Sequence, residues 1–578
     1  MHTDNYAQPL DINDGIRLDL GSTAKLRTLV HYLELIAELY QRYTGQPPQA
    51  LRALELDKRD HLSRWVVERL SATPQLTLPA LLDAALERRY SASPAEGFRT
   101  GGGVHAFANF NDTDDHKILS VRQAFRDSVN LVFIRLLRDV VYHYLYRPGA
   151  IAQQMEASDD PRRQAYLERF ADREGQTFLR RFYAKYRDKS PQEALELLTQ
   201  SVHAHPARLA TIYRFVYPDY DLAAFTGYLR AHLETKALAE VDIPRLYDTY
   251  APERFDLHDR GYIARLHPLE LWLVGYLAHH PDATLQQVMV ASSGERQRVY
   301  RWLFKAGRKY AQDRRIQALL EIEAFAELHH AWQRLGYPFE TLTPSYASAI
   351  GASGDRPAAL AELIGLLLND GVQAPRLRFD SYHFAAGTPY ETRLARPPAR
   401  GARLLAPEVA AATRGALIEV VETGTARRLQ GVYQRPGQPL LRVGGKTGTG
   451  DHRRVSYGAH GHLVGTQVVS RAATFAFFLG EHFFGVVTAY VTGPEAARYH
   501  FTSALPVQVL KGLAPILMPF LTRAPEEQDR SVRDSASPRA TVLSPTADKP
   551  AEEATTQVRP KSTRTSTITR MRPRPPLG

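Results

Sequence analysis

The sequence predicts an α+β chain in which helices lead and a small antiparallel sheet, flanked by them, follows late. Three observations carry this. Apolar residues recur at helical spacing after Gly21-Ser22 and again after Ser128. The middle third reads as helix, with signals such as Ser190-Pro191-Gln192-Glu193, a capping box with proline at the first helical position. Short β-rich runs bounded by glycines appear only after Leu440.

Taken in order, residues 1–20 carry four Asp and no apolar run, and read as irregular. A helix is expected from Gly21-Ser22, where Leu26, Leu29, Val30, Leu33, Ala37 and Tyr40 share a face; Pro47-Pro48 ends that unit. Residues 51–95 read as mostly helical, and Gly101-Gly102-Gly103 as a loop. Leu131, Ile134, Leu137, Arg138 and Val141 mark another helix. Residues 150–335 form a large helical insertion without a visible repeat, and 404–430 one more helix. Strands follow at 440–444, 473–479 and 486–492, the last two joined through 480–485 as a hairpin. A final helix spans 504–521. From about Arg523 the chain is rich in Pro, Ser, Thr and Arg, a composition that cannot bury a core and reads as a disordered tail. The expected divisions are therefore 1–149, 150–335, 336–522 and 523–578.

Composition limits the function. At 578 residues and 44% hydrophobic, the chain has the makeup of an ordinary soluble protein of roughly two to four domains. Its net charge of +11 is spread along the chain without a base-reading motif, so no nucleic-acid partner is expected. It has no cysteine, which excludes disulfides, zinc–thiolate sites and a cysteine nucleophile. No signal peptide is visible, and no run approaches the roughly 18 apolar residues of a membrane span.

Three short motifs, each present once, carry the chemistry: Ser22-Thr23-Ala24-Lys25, Ser128-Val129-Asn130 and Lys446-Thr447-Gly448. A serine hydroxyl is a weak nucleophile at neutral pH and needs a base within hydrogen-bond reach. Ser22 and Lys25, three apart at a helix start, share one face. Lys25 can act as that base only when neutral, which burial or a neighbouring cation such as Lys446 enforces. The competing reading is a serine that merely caps the helix beside a solvated lysine. Ser128 and Asn130, two apart, point the same way in an extended or turn segment, where a hydroxyl relays a proton and an amide binds a peptide group; a plain helix cap at Ser128 is the alternative. Gly444-Gly445-Lys446-Thr447-Gly448-Thr449-Gly450 is the most specific stretch. Its glycines let a ligand approach a strand edge, Lys446 and Thr447 suit a carboxylate, and the Thr449 amide suits an oxyanion. A phosphate loop is set aside, because Leu440 stands where the pattern needs glycine and no helix signal follows. The adjacent pairs His279-His280 and His329-His330 lack the i, i+4 spacing of a helical metal site.

With the trio in this order, the chain resembles the transpeptidase domain of class A penicillin-binding proteins, the bifunctional peptidoglycan synthases; the association of these motifs with that group is a general one. Further likenesses are Ala108-Asn109-Phe110, Leu342-Thr343-Pro344-Ser345-Tyr346-Ala347, Leu366-Leu367-Leu368-Asn369-Asp370-Gly371 and Val421-Glu422-Thr423-Gly424-Thr425-Ala426. The resemblance covers about 15–145 and 340–520. It implies a penicillin-binding, β-lactamase-like fold and no cofactor. It implies Ser22 as acylated nucleophile, Lys25 as base, Ser128 as proton relay, Asn130 as peptide contact, and Lys446, Thr447, Gly448 and Thr449 as the carboxylate and oxyanion site. The implied reaction is attack on the D-Ala-D-Ala bond of a peptidoglycan stem peptide and transfer to a neighbouring amine, with β-lactams acylating Ser22. The implied place is the periplasmic side of the inner membrane. Class A proteins carry a membrane anchor and a glycosyltransferase domain ahead of this region, and strands from there join the sheet. Only 21 residues precede Ser22 here, so a separate glycosyltransferase or anchor chain is an expected partner, and an open sheet edge an expected hazard. The alternatives are a truncated or split non-catalytic scaffold, or a related carboxypeptidase or β-lactamase; no E-x-x-L-N deacylation stretch is present.

Overall fold

The computed structural model describes residues 2–3, 9–100, 103–150, 161–301, 308–376, 381–395, 401–434, 441–457 and 463–521. The tail expected at 523–578 lies outside the described residues. Helix outweighs strand, as an α+β chain with a late sheet requires.

Helix α1 (Ala24–Tyr43) is the central element. Leu26, Leu29, Val30, Leu33 and Ile36 are fully buried, and so are the polar Lys25 and Thr28 on its other sides. A helix enclosed on nearly every face belongs in a core rather than at a surface. It is surrounded by α2 (His61–Ala72), α3 (Leu78–Leu86), α5 (Asn130–Tyr146) and α8 (Pro407–Glu422). The short α4 (Val121–Asp127) precedes α5, α6 (Lys309–Arg334) lies against α5, and α7 (Pro357–Leu368) packs on the sheet. The stretch 51–95 is less helical than expected: Arg89–Ser91 is a strand paired with Ile118–Ser120.

The main sheet has three antiparallel strands in the order β1 (Val443–Tyr457), β2 (Leu463–Leu479), β3 (Phe483–Thr492). Lys446 pairs with Ala476 and Thr449 with Ala473; Ala473 in turn pairs with Ala489. The β2–β3 turn is tighter than the 480–485 expectation, with Gly480 in the left-handed region at φ 67°. β1 and β2 run well past the expected strands into a long hairpin. Its outer half carries Asp451, His452, Arg453 and Arg454, so no apolar pattern announces it. Among the described residues, no strand pairs with the outer edge of β1 or of β3.

The final helix is two, α9 (Ala504–Gly512) and α10 (Ala514–Leu521), bent by 63°. Only as a bent pair do they have the length and apolar composition of a membrane span; among the described residues no single helix is long and apolar enough to cross a membrane. Buried apolar side chains fall into two clusters, one drawn from 18–167 and 316–514, the other from 171–300. In the second, Ser190 caps Pro191–Gln200 through the reciprocal Ser190–Glu193 pair that the sequence predicts.

A buried contact between the two flanks of the helical middle positions the start of α1. Leu18 and Asp355 exchange backbone hydrogen bonds of 3.1 and 2.9 Å, and the Asp355 carboxylate takes Arg27 Nε at 2.6 Å. Arg27 also donates to Leu335 O. Such a pair is costly to break from one side, because the remaining charge stays buried. It holds the turn ahead of α1 in place.

Candidate active site

That turn is built on glycines. Gly21–Thr23 is a single 3₁₀ turn leading into α1, and Gly21 takes φ 55°. A Cβ at Gly21 would lie 2.0 Å from Thr449 O, one at Gly448 2.2 Å from Leu20 O, and one at Gly450 2.2 Å from Asp19 O. The turn therefore lies directly on β1, closer than any side chain permits. Asp19 fixes it, accepting from Gly21 N at 3.0 Å; burial raises its carboxyl to about 6. Ser22 makes no side-chain cap to the helix, and α1 starts at Ala24. The capping alternative thus does not describe Ser22.

From this start Lys25 reaches inward. Its Nζ lies 2.7 Å from Ser22 Oγ, 2.7 Å from Asn130 Oδ1, 2.9 Å from Ser128 O and 3.3 Å from Ser128 Oγ. From β1, Lys446 Nζ lies 2.9 Å from Ser128 Oγ and donates to Thr447 O at 2.9 Å. Both lysines are 0% exposed. Their described contacts are hydroxyls, carbonyls and an amide, with no carboxylate. Burial alone lowers Lys446 to about 7. Burial, and next the charge of Lys446, hold Lys25 well below the ordinary lysine range. The edge of this chamber is Phe125, whose ring centroid is 5.6 Å from Lys446 Nζ.

Ser128 is the left-handed residue between α4 and α5, at φ 62° and ψ 34°. It ends α4; Val129, not Ser128, precedes α5. Of the extended-or-turn reading the turn holds, with Ser128 and Asn130 both reaching Lys25, whereas the helix-start reading of Ser128 is corrected. A non-glycine residue held there costs free energy that its surroundings must supply. The supply is local. Asn109, 8% exposed, accepts from Leu131 N at 3.0 Å and donates to Ala92 O and Asp115 Oδ1 at 2.7 and 2.8 Å. Asn130 completes the tie by donating to Ala108 O at 3.0 Å.

All the motif residues thus converge, but not all face the cleft alike. Ser22, Ser128, Asn130 and Thr449 are half-buried, whereas Thr447 is 2% exposed. Its hydroxyl lies 2.6 Å from that of Thr425, an exposed residue just after α8. Thr449 Oγ1 accepts from Ser503 N at 2.9 Å. Sequence reasoning assigned no role to Thr425 or Asn109; each sat inside a quoted stretch with nothing in its own residue type to mark it. His279 and His329 turn to the carbonyls of Gly275 and Phe339, far in sequence from this chamber.

A buried amine 2.7 Å from a serine hydroxyl, with a second hydroxyl shared with a second lysine, is an arrangement suited to proton transfer among these groups.

No protein-family model matches the chain, and no curated protein does. Solved structures that resemble it include the D,D-transpeptidase domain of a peptidoglycan glycosyltransferase from Eggerthella lenta, at 14% identity and a TM-score of 0.32 over 87% of this chain and 67% of that one. A ceftriaxone acyl-enzyme of penicillin-binding protein A from M. tuberculosis resembles it at 14% identity and a TM-score of 0.32, over 88% of this chain and 64% of that one. Penicillin-binding protein 3 from the same organism does so at 19% identity and 0.23, over 33% and 46%. The chain spans less than two thirds of the last two.

Proposed function

We propose that this chain is a serine D,D-transpeptidase of the penicillin-binding kind, acting on peptidoglycan stem peptides. One observation carries the reading: the buried Lys25 amine lies 2.7 Å from Ser22 Oγ, while Lys25 and Lys446 both meet Ser128 Oγ. Ser22 Oγ attacks the carbonyl of the D-Ala-D-Ala bond as its proton passes to Lys25. Lys25 passes that proton to Ser128 Oγ as Ser128 gives its own to the leaving amine, and D-alanine departs. A stem amine then attacks the acyl-serine; the ester bond breaks as the amide forms, and the amine's proton returns through Lys25 to Ser22 Oγ. The amides of Ser22 and Thr449 hold the oxyanion, and Lys446 with the β1 hydroxyls holds the terminal carboxylate. A β-lactam enters the same path and stays as an ester.

In this reading 1–149 and 336–522 are two parts of one transpeptidase domain, 150–335 is its helical insertion, and the cell envelope is its place of work. The first apolar cluster draws on both flanks and also on 166–167 and 316–335 of the insertion, while 171–300 supply a second cluster of their own.

The reading is tested by Lys25→Ala. Loss of the base lowers the rate of penicillin acylation by about 10²–10⁴-fold with the fold retained; a normal rate removes Lys25 from the mechanism. Adduct lifetime separates the relatives: a long-lived adduct fits a transpeptidase, rapid turnover a β-lactamase.

A further inference from the structure

We propose that Thr425 is a substrate-binding residue, the outermost donor to the free carboxylate of the acyl donor. The inference rests on the transpeptidase reading and specifies how that site chooses its substrate.

Thr447 and Thr449 stand two apart on β1 and so share one face. Thr447 itself is only 2% exposed. Over it lies Thr425, exposed, with the two hydroxyl oxygens 2.6 Å apart. Two hydroxyls at that distance share one proton in the hydrogen bond between them, and the other proton is free to donate. Thr425 is the member that faces solvent, so an incoming anion meets its hydroxyl first. Thr449 is prepared in the same sense: its oxygen already accepts from Ser503 N, which leaves its proton for a ligand. The cation that shares this strand is Lys446, one residue before Thr447 and buried. A carboxylate is a group that suits hydroxyl donors near a cation.

Thr425 is also placed by the catalytic elements. Its amide donates to Arg126 O at 3.3 Å, on the helix that ends at Ser128. Gly424 makes this possible, since a Cβ there would lie 2.5 Å from Arg126 O. The Arg126 guanidinium is engaged by Asp127 at 2.7 Å, so the neutral hydroxyls, not this arginine, front the site.

The test compares acylation of the full 578-residue chain by benzylpenicillin and by its methyl ester, which lacks the carboxylate charge. Thr425→Val keeps the shape and removes the donor; Thr425→Ser keeps the donor. We expect Thr425→Val to slow acylation by the acid roughly ten- to hundredfold, the range of one hydrogen bond to a charged group. The ester rate stays within about twofold of wild type, a small fraction of that loss, and Thr425→Ser recovers the acid rate. An equal loss for acid and ester makes Thr425 a structural spacer and overturns the proposal. So does an unchanged acid rate in Thr425→Val. A folded wild-type chain inert to both ligands overturns the transpeptidase reading itself, and the inference with it.

Discussion

Lys25 and Lys446 address one hydroxyl: their Nζ atoms lie 3.3 and 2.9 Å from Ser128 Oγ, from opposite sides of the chamber. Two buried ammonium groups so close cannot both keep their protons cheaply. Burial, and next the charge of Lys446, hold Lys25 well below the ordinary lysine range. Burial lowers Lys446 to about 7.

The working state proposed for acylation has Lys25 neutral and Lys446 charged. Acylation by an anionic β-lactam falls on the alkaline side with an apparent midpoint near 7, as Lys446 loses the charge that attracts the carboxylate. Mass-spectrometric time courses from pH 5 to 9 measure this. A rate still climbing through pH 9 contradicts the assignment of charge to Lys446.

Stability carries the same signature. The folded-state value of Lys446 is about 7, against about 10.4 for an unfolded lysine. The folded chain thus binds fewer protons than the unfolded chain in that interval, so this group makes stability rise with pH from about 7 to about 10. Below 7 its desolvation cost is fully present. Lys446→Met lacks the group, so the melting temperature of the variant, relative to wild type, declines as pH rises from 7 to 10. A difference that does not vary with pH contradicts the linkage.

Gly448 is where the nucleophile turn and β1 touch, and a methyl group there would meet Leu20 O at 2.2 Å and Thr23 Cγ2 at 2.7 Å. Backbone cannot withdraw as a flexible side chain does. Gly448→Ala costs about 1–3 kcal/mol of stability and lowers acylation beyond what the lost folded fraction explains, because the Ser22 turn shifts against Lys446. Urea unfolding and adduct formation on the same samples separate the two effects. Wild-type acylation in the variant contradicts the close fit.

Much of the site is legible in the sequence because its chemistry is local. Ser22 and Lys25 lie within one helical turn, and Lys446 to Gly450 within one strand. What escapes is what tertiary contact alone creates. The outer half of β1 leaves the core, so its charged residues carry no strand signal. The left-handed Ser128 sits between two helices, of which the apolar spacing announces only the second. The bend between α9 and α10 falls in an apolar run that reads as continuous helix. Thr425 and Asn109 act through partners 22 residues away in each case, Thr447 and Leu131. Nothing in a threonine or an asparagine announces such a partner.

The central claim is that Ser22 becomes acylated. The direct measurement is the intact mass of the 578-residue chain after incubation with a penicillin, beside a Ser22→Ala control. The account predicts one persistent adduct of the mass of the drug on wild type and none on the control. A folded wild-type chain with no adduct, or an adduct that survives in Ser22→Ala, contradicts it.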